Sequence, residues 1–186
     1  MSKIKLETKR LLLRPALKKD VPVIAEHLSN PLIAKTTLHI PFPYSRKDAE
    51  IWFTNNALQN KSGLAYTFVI TMKRSGKLIG SMGLHPTPEH NRAEAGYWIA
   101  VPYWNKGIAT EALQSVLQFG FEQVGLHKIY ATHMLNNKAS GRVMQKVGMK
   151  REGKLIDHYK KQEEYVSIIQ YGMIRNDYNS ATKKIS

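Results

Sequence analysis

The sequence predicts a mixed α/β fold, one sheet flanked by helices. Three observations point there. Runs with strand character, such as Tyr66 to Met72 and Lys128 to His133, alternate with stretches of helical period. A Ser75-Gly76 turn joins two strands directly, whereas other strands are separated by a whole helix, so hairpins and strand–helix–strand crossovers share one chain. A length of 186 residues, 42% of them apolar, fits one domain with one core.

Leu11 to Arg14 is the first predicted strand, stopped by Pro15. Asp20 is placed as the cap of a helix running to Leu28, which Asn30-Pro31 ends. Leu38 to Tyr44 holds Pro41 and Pro43 and reads as loop. Ser45 through Asp48 resembles a capping box and opens a helix from Arg46 to about Gln59. The strands Tyr66 to Met72 and Lys77 to Leu84 form the hairpin. His85 to Asn91, with Pro86 and Pro88, is again loop, and Ala93 to Val101 is the next strand. A helix from Ile108 to about Val124 aligns Ala109, Leu113, Val116, Leu117, Gly120 and Val124 on one face. After the strand Lys128 to His133, a short helix from Lys138 to Val147 turns Ala139, Val143, Met144 and Val147 inward. Gly148 suits its left-handed cap, and Met149 the accompanying apolar contact. Strands near Lys150 to His158 and Tyr165 to Ile174 complete a domain spanning residues 1–178, and residues 179–186 are expected to be a flexible tail.

Composition narrows the chemistry. Cysteine is absent, which removes disulfides, Cys-ligated zinc and Cys nucleophiles together and fits a reducing, cytoplasmic setting. No apolar run of membrane-spanning length occurs, and Met1 to Arg10 lacks a signal-peptide core. The seven histidines are scattered, there is no His-Glu-x-x-His and no dinucleotide glycine fingerprint, so no metal, haem or nicotinamide is expected. The net charge of +14 suits polyanionic partners, a phosphorylated ligand or a place near RNA, or else a solvated basic surface.

The stretch Glu94 to Ala112, EAGYWIAVPYWNKGIATEA, carries the functional signal. A strand ends at Pro102, a short loop with Asn105, Lys106 and Gly107 follows, and a helix starts at Ile108. Such a strand, glycine turn and helix N-terminus leave backbone N–H groups unpaired beside a favourable dipole, a cradle for an anionic ligand. Taken alone, Gly107 is also an ordinary loop glycine.

The pair Tyr97-Trp98 followed by YWNKGIATEA (Tyr103 to Ala112) resembles the GNAT superfamily of acetyl-CoA-dependent N-acetyltransferases, and within it the RimJ/RimL type, which acetylates ribosomal protein N-termini. TKRLLLR (Thr8 to Arg14) resembles that family's opening strand. NKAS (Asn137 to Ser140) and KVGM (Lys146 to Met149) resemble the two ends of its second cofactor helix. The resemblance spans Leu6 to Ile174 and implies a mostly antiparallel twisted sheet of about seven strands flanked by about four helices. One departure stands at Trp104, where the superfamily usually carries Gln or Arg, which leaves a side-chain contact to the cofactor in doubt but not the backbone cradle.

By resemblance, the amides of Asn105, Lys106, Gly107, Ile108, Ala109 and Thr110 hold the pyrophosphate of acetyl-CoA, with Lys106 adding charge at the rim. Backbone groups of Ile99 and Val101 bond the pantetheine arm where the next strand splays away, and an N–H there polarises the thioester carbonyl. Asn137 steadies the cleft or bonds the pantetheine, a role that coexists with helix capping. Glu94 is the first candidate to take the proton of the attacking amine, through a water; its alternative is a surface glutamate paired with Arg92 or a lysine, and His85 is the rival base. Ser140 matches the position from which a hydroxyl serves the leaving thiolate, or else it only marks a helix start. Direct transfer in a ternary complex needs no acyl-enzyme.

The acceptor is implied to be a protein or peptide N-terminus. An α-amine titrates near about 8 against about 10.4 for lysine, so it needs less help at neutral pH. The loops Leu38 to Tyr44 and His85 to Asn91 flank the mouth, where Phe42, Tyr44 and Trp52 are lining candidates, Trp52 being better explained by core packing. The basic chain weighs against a polyamine acceptor. The alternatives are a small-amine acetyltransferase, or a non-catalytic acyl-CoA sensor or RNA-associated module.

Overall fold

The fold grows outward from a narrow ribbon at the start of the chain. In the computed structural model, which describes residues 4–182, Leu6–Glu7 (β1) and Leu11–Arg14 (β2) pair antiparallel. A 3₁₀ turn then leads into the helix Val21–Leu28 (α1). Asp20 does not cap α1 as expected. Its carboxylate accepts from the Leu17 amide (2.7 Å) and from both terminal nitrogens of Arg14 (2.7 and 2.9 Å). Desolvation pushes this buried carboxyl up, but Arg14 and the Leu17 amide outweigh it and hold it below its ordinary value. The bidentate pair ties β2 to the start of α1.

Asn30-Pro31, read as a stop, is also a start. Asn30 accepts from the Leu32 amide (3.0 Å), and Pro31 takes the first position of a short helix, Pro31–Thr36 (α2). The expected reciprocal cap forms at Ser45 and Asp48 (3.2 and 2.7 Å) and opens Arg46–Ser62 (α3).

Tyr66–Met72 (β3), Leu78–Thr87 (β4) and Arg92–Ile99 (β5) follow as an antiparallel meander. β4 continues through Pro86 into what the two prolines mark as loop. Pairing with β3 stops at Tyr66–Leu84, and the register turns the nitrogen of Pro86 toward that vacated side, where no donor is needed. Beyond lie Ile108–Phe119 (α4), closed by a π-helical turn Gly120–Val124, then Lys128–Met134 (β6), Lys138–Lys146 (α5), Lys150–Lys161 (β7), Glu164–Ile174 (β8) and Arg175–Thr182 (α6). Residues 179–182, expected in the flexible tail, belong to α6, and residues 183–186 of that tail lie outside the described residues.

The eight strands run β1-β2-β3-β4-β5-β6-β8-β7, and every neighbouring pair is antiparallel except β5 with β6. The mixed, mostly antiparallel sheet is as expected, with the small β1, α2 and α6 added. Strand alternation makes two apolar layers. Phe68, Met82, Leu84 and Ala95 pack on Leu113, Val116 and Leu117 of α4. Val69, Trp98 and Ala100 pack on the opposite face against Ile24 and Leu28 of α1 and Ala49 of α3.

Candidate active site

The parallel pairing of β5 and β6 lasts for three residues, ending at Glu94–Tyr130. Past that point the strands part. The Ala100 amide bonds the Ile79 carbonyl, so even-numbered residues of β5 direct their backbone groups to β4. The odd-numbered Ala95, Tyr97 and Ile99 therefore turn theirs to the gap. A cavity of about 980 Å³ occupies it, walled by Glu94 to Ile99, by Thr132 to Met134 of β6 and by the start of α5.

At one end of the gap lies the cradle. Asn105 and Gly107 both have left-handed backbone (φ 59° and 72°), which coils the loop ahead of α4. The first amide here with a protein acceptor is that of Glu111, on the Gly107 carbonyl (3.1 Å). Among the described residues the amides of Asn105 through Thr110 have none. Asn105, Gly107, Ile108, Ala109 and Thr110 line the cavity, with Lys138, Arg142 and Lys146 of α5 also on its wall. Open amides and basic side chains suit a phosphorylated ligand. The loop is held from behind: Arg10 donates to the Lys106 carbonyl (2.9 Å) and pairs with Glu111 (2.6 Å), which also accepts from Thr8 (2.6 Å).

Two expected cofactor residues keep their side chains off the cavity wall. Val101 leaves the strand for a 3₁₀ turn, its carbonyl accepts the Trp104 amide (3.1 Å), and it packs against the α1/α3 core instead of the cavity. The Lys106 side chain lies over the Tyr103 ring (5.7 Å) and off the cavity wall. Ile99 does line the gap, but its carbonyl accepts from the Trp104 indole (2.6 Å), leaving the amide to face a ligand. Trp104 thus braces the end of β5 against the loop.

Glu94 stands where β5 and β6 part. Its carboxylate accepts from Thr132 Oγ1 (3.1 Å). Tyr130 beside it is raised above its ordinary value, first by desolvation and then by the Glu94 charge. His85 is the register partner of Glu94 on β4 and lines the same cavity. Although its surface is exposed to that space, desolvation lowers its pKa, against the pull of Glu94, which favours the neutral imidazole.

Ser140 and Tyr97 meet across the gap, Oγ to Oη at 2.8 Å. Burial pushes the Tyr97 phenol up to about 12, partly opposed by Ser140. The sequence points to Ser140 but assigns Tyr97 no role, because the two lie far apart in the chain and only the fold joins them. Asn137 caps α5 through the Ser140 amide (3.2 Å) and also donates to the Thr36 carbonyl (2.9 Å) on the opposite wall. Lys161 reaches the same wall, donating to the carbonyls of Ala34 and Thr37, and His39 meets Tyr159 edge-on (5.8 Å). Tyr44 and Trp52 line the cavity, both also packing in the α1/α3 core, whereas Phe42 stays outside.

Known proteins share this fold. The family described as acetyltransferase (GNAT) domain matches residues 10–150. An uncharacterized N-acetyltransferase of Bacillus subtilis (strain 168), YnaD, is 33% identical over 92% of this chain and 98% of its own. The crystal structure of a GNAT-family acetyltransferase from Bacillus anthracis superposes with a TM-score of 0.84, at 28% identity, over 93% of this chain and 99% of that one. The structure of RimL, a ribosomal L7/L12 alpha-N-protein acetyltransferase, in complex with coenzyme A shares the fold at a TM-score of 0.85 and 17% identity, over 94% of this chain and 99% of its own. With the splayed strands, the open amides and the matched family profile together, the chain belongs to the GNAT family and is an acetyltransferase.

Proposed function

We propose that the protein transfers the acetyl group of acetyl-CoA to the N-terminal α-amine of a protein or peptide, in one ternary complex. The observation that carries this reading is the gap between β5 and β6, with unpaired amides at one end and Glu94 at its apex. The cradle would receive the pyrophosphate, and the backbone along Tyr97 and Ile99 would receive the pantetheine arm and its thioester. The neutral amine attacks the carbonyl carbon, an amide of β5 stabilises the oxyanion, and the C–S bond breaks with its electron pair on sulfur. Glu94 takes the ammonium proton through a water, and Ser140 hydrogen-bonds the departing thiolate. His85, paired in register with Glu94, is the second candidate for that proton.

The net charge of +14 favours an acceptor on or near an RNA-rich particle over a polycation. The likeness to RimL is one of fold, and it agrees with this choice. The test is a side-by-side screen of peptides with free N-termini, their N-blocked lysine-containing counterparts and small amines, reading free CoA. Turnover confined to free N-termini is expected. Turnover on small amines alone would overturn the peptide assignment, and tight CoA binding with no turnover on any amine would overturn catalysis.

A further inference from the structure

We infer that Tyr97 is a positioning residue that makes the Ser140 hydroxyl a directed hydrogen-bond donor to the sulfur of CoA. The inference rests on the proposed role of Ser140 at the leaving group. The two oxygens are 2.8 Å apart, and both residues line the gap between β5 and β6. A serine hydroxyl has one proton and rotates freely, so on its own it need not point at a sulfur. The serine's amide and its helix are already fixed by the Asn137 cap. What remains free is the rotor.

Tyr97 settles the rotor. It projects from β5 into the apolar layer that includes Met144 of α5, where a charged phenolate is disfavoured. The neutral phenol has one strong donor to offer, and Ser140 Oγ is its hydrogen-bond partner. Either oxygen can donate in this pair; when Tyr97 donates to Oγ, the serine proton is turned away from the phenol and is available to an acceptor in the gap. A chain from phenol to hydroxyl to sulfur also polarises each member. In the transfer, the amine nitrogen bonds the acetyl carbon, the carbon–sulfur bond breaks, and the electron pair stays on sulfur. The ammonium proton leaves on the amine side. The thiolate is held by the Ser140 O–H and later takes a proton from solvent. Neither Ser140 nor Tyr97 changes charge.

A hydrogen bond to the thiolate lowers the pKa of the bound thiol, so CoA itself is the probe and no acceptor is needed. Thiolate absorbance of the enzyme–CoA complex is followed against pH for wild type, Tyr97→Phe, Ser140→Ala and the double variant. The other charged or titratable groups of the cavity, among them Lys138, Arg142 and Lys146 on α5, His133 on β6, and His85 and Glu94 on the sheet, are the same in all four. Each single variant should raise the bound thiol's pKa by about one unit, a tenfold change, and the double variant should go no further than Ser140→Ala. Phenylalanine keeps the ring in the apolar wall, and a wild-type circular dichroism spectrum with one cooperative melt of each unliganded variant reports an intact fold.

A shift in Ser140→Ala with none in Tyr97→Phe would overturn the role of Tyr97 and spare that of Ser140. No shift in Ser140→Ala would overturn both. Shifts that add in the double variant would show Tyr97 acting without Ser140 and overturn the relay. Loss of CoA binding in wild type would instead remove the functional reading beneath it.

Discussion

Arg10 and Glu111, on β2's approach and on α4, grip one another at 2.6 Å while Arg10 also holds the Lys106 carbonyl at 2.9 Å. The amino-terminal ribbon therefore braces the back of the open-amide loop proposed to hold the phosphates. Arg10→Ala removes both contacts. CoA affinity should fall several-fold, about 1 kcal/mol, because a partly exposed pair contributes modestly and the loop must be ordered on binding. Calorimetric titration with CoA checks this, and an unchanged Kd would show the cradle needs no brace.

The same contact sets an acid response. Desolvation pushes the Glu111 carboxyl up, but Thr8 and Arg10 outweigh it and hold it below its ordinary 4.5. Asp20 and Glu152 are lowered likewise. A carboxyl with a lowered folded pKa binds fewer protons folded than unfolded, so its stabilisation is present above the ordinary value and is lost as pH falls through the folded one. Melting temperature should hold steady from neutral pH down to about 5 and then drop. Glu111→Gln should flatten part of that drop; a parallel curve would remove Glu111 from it.

Gly107 combines φ 72° with free space, since a Cβ there would meet only Arg10 Nη2, at 3.5 Å. Gly107→Ala should fold with a loss of about 1–2 kcal/mol from the left-handed backbone. Gly107→Glu starts its side chain toward Arg10 behind the loop, so it should weaken CoA binding through the strained backbone, competition with Glu111 for Arg10 and a negative charge added near the phosphates. CoA-induced shifts in melting temperature separate the two, and a normal shift for Gly107→Glu would displace the cradle from this loop.

Glu94→Gln can keep the Thr132 contact and removes the proposed base. Turnover with the best peptide acceptor should fall about a hundredfold at neutral pH with CoA affinity unchanged. Less loss at higher pH is expected, where the α-amine is already neutral. A fully active variant would pass the role to His85.

Gly96 sits on β5 between Glu94 and Trp98, lines the cavity, and a Cβ built on it meets nothing within 4 Å. Gly96→Val should leave CoA affinity intact while raising KM for acceptors with bulky first residues more than for glycine-led ones. Equal effects on all acceptors would place the acceptor elsewhere.

Much of this was legible before any coordinates, for physical reasons. The Ser45/Asp48 cap and the apolar face of α4 are local patterns, and local patterns survive folding. Asp20 looked like a cap, but Arg14 offers its carboxylate a stronger, buried partner than a helix amide does. Asn30-Pro31 can end one helix and begin the next, and composition cannot say which. Pro86 is tolerated in β4 because β3 stops short of it, a fact about a neighbour. Tyr97, Arg10 and Thr8 act through partners brought close only by the sheet and α4. The cradle's position was legible because strand, glycine and helix start are contiguous. The side-chain positions of Val101 and Lys106 were not, because β5 ends at Ile99, two residues before Val101, and the turn and loop that follow lack the strand's alternation.

Only three register pairs stitch β5 to β6, and they join five strands on one side to three on the other. A ligand seated in the opening would replace the missing rungs. Guest and host should then melt as one: saturating CoA ought to slow amide exchange in β6 and β8 as well as in the loop that grips it. An enzyme built this way is a half-closed book, and its donor molecule is the binding.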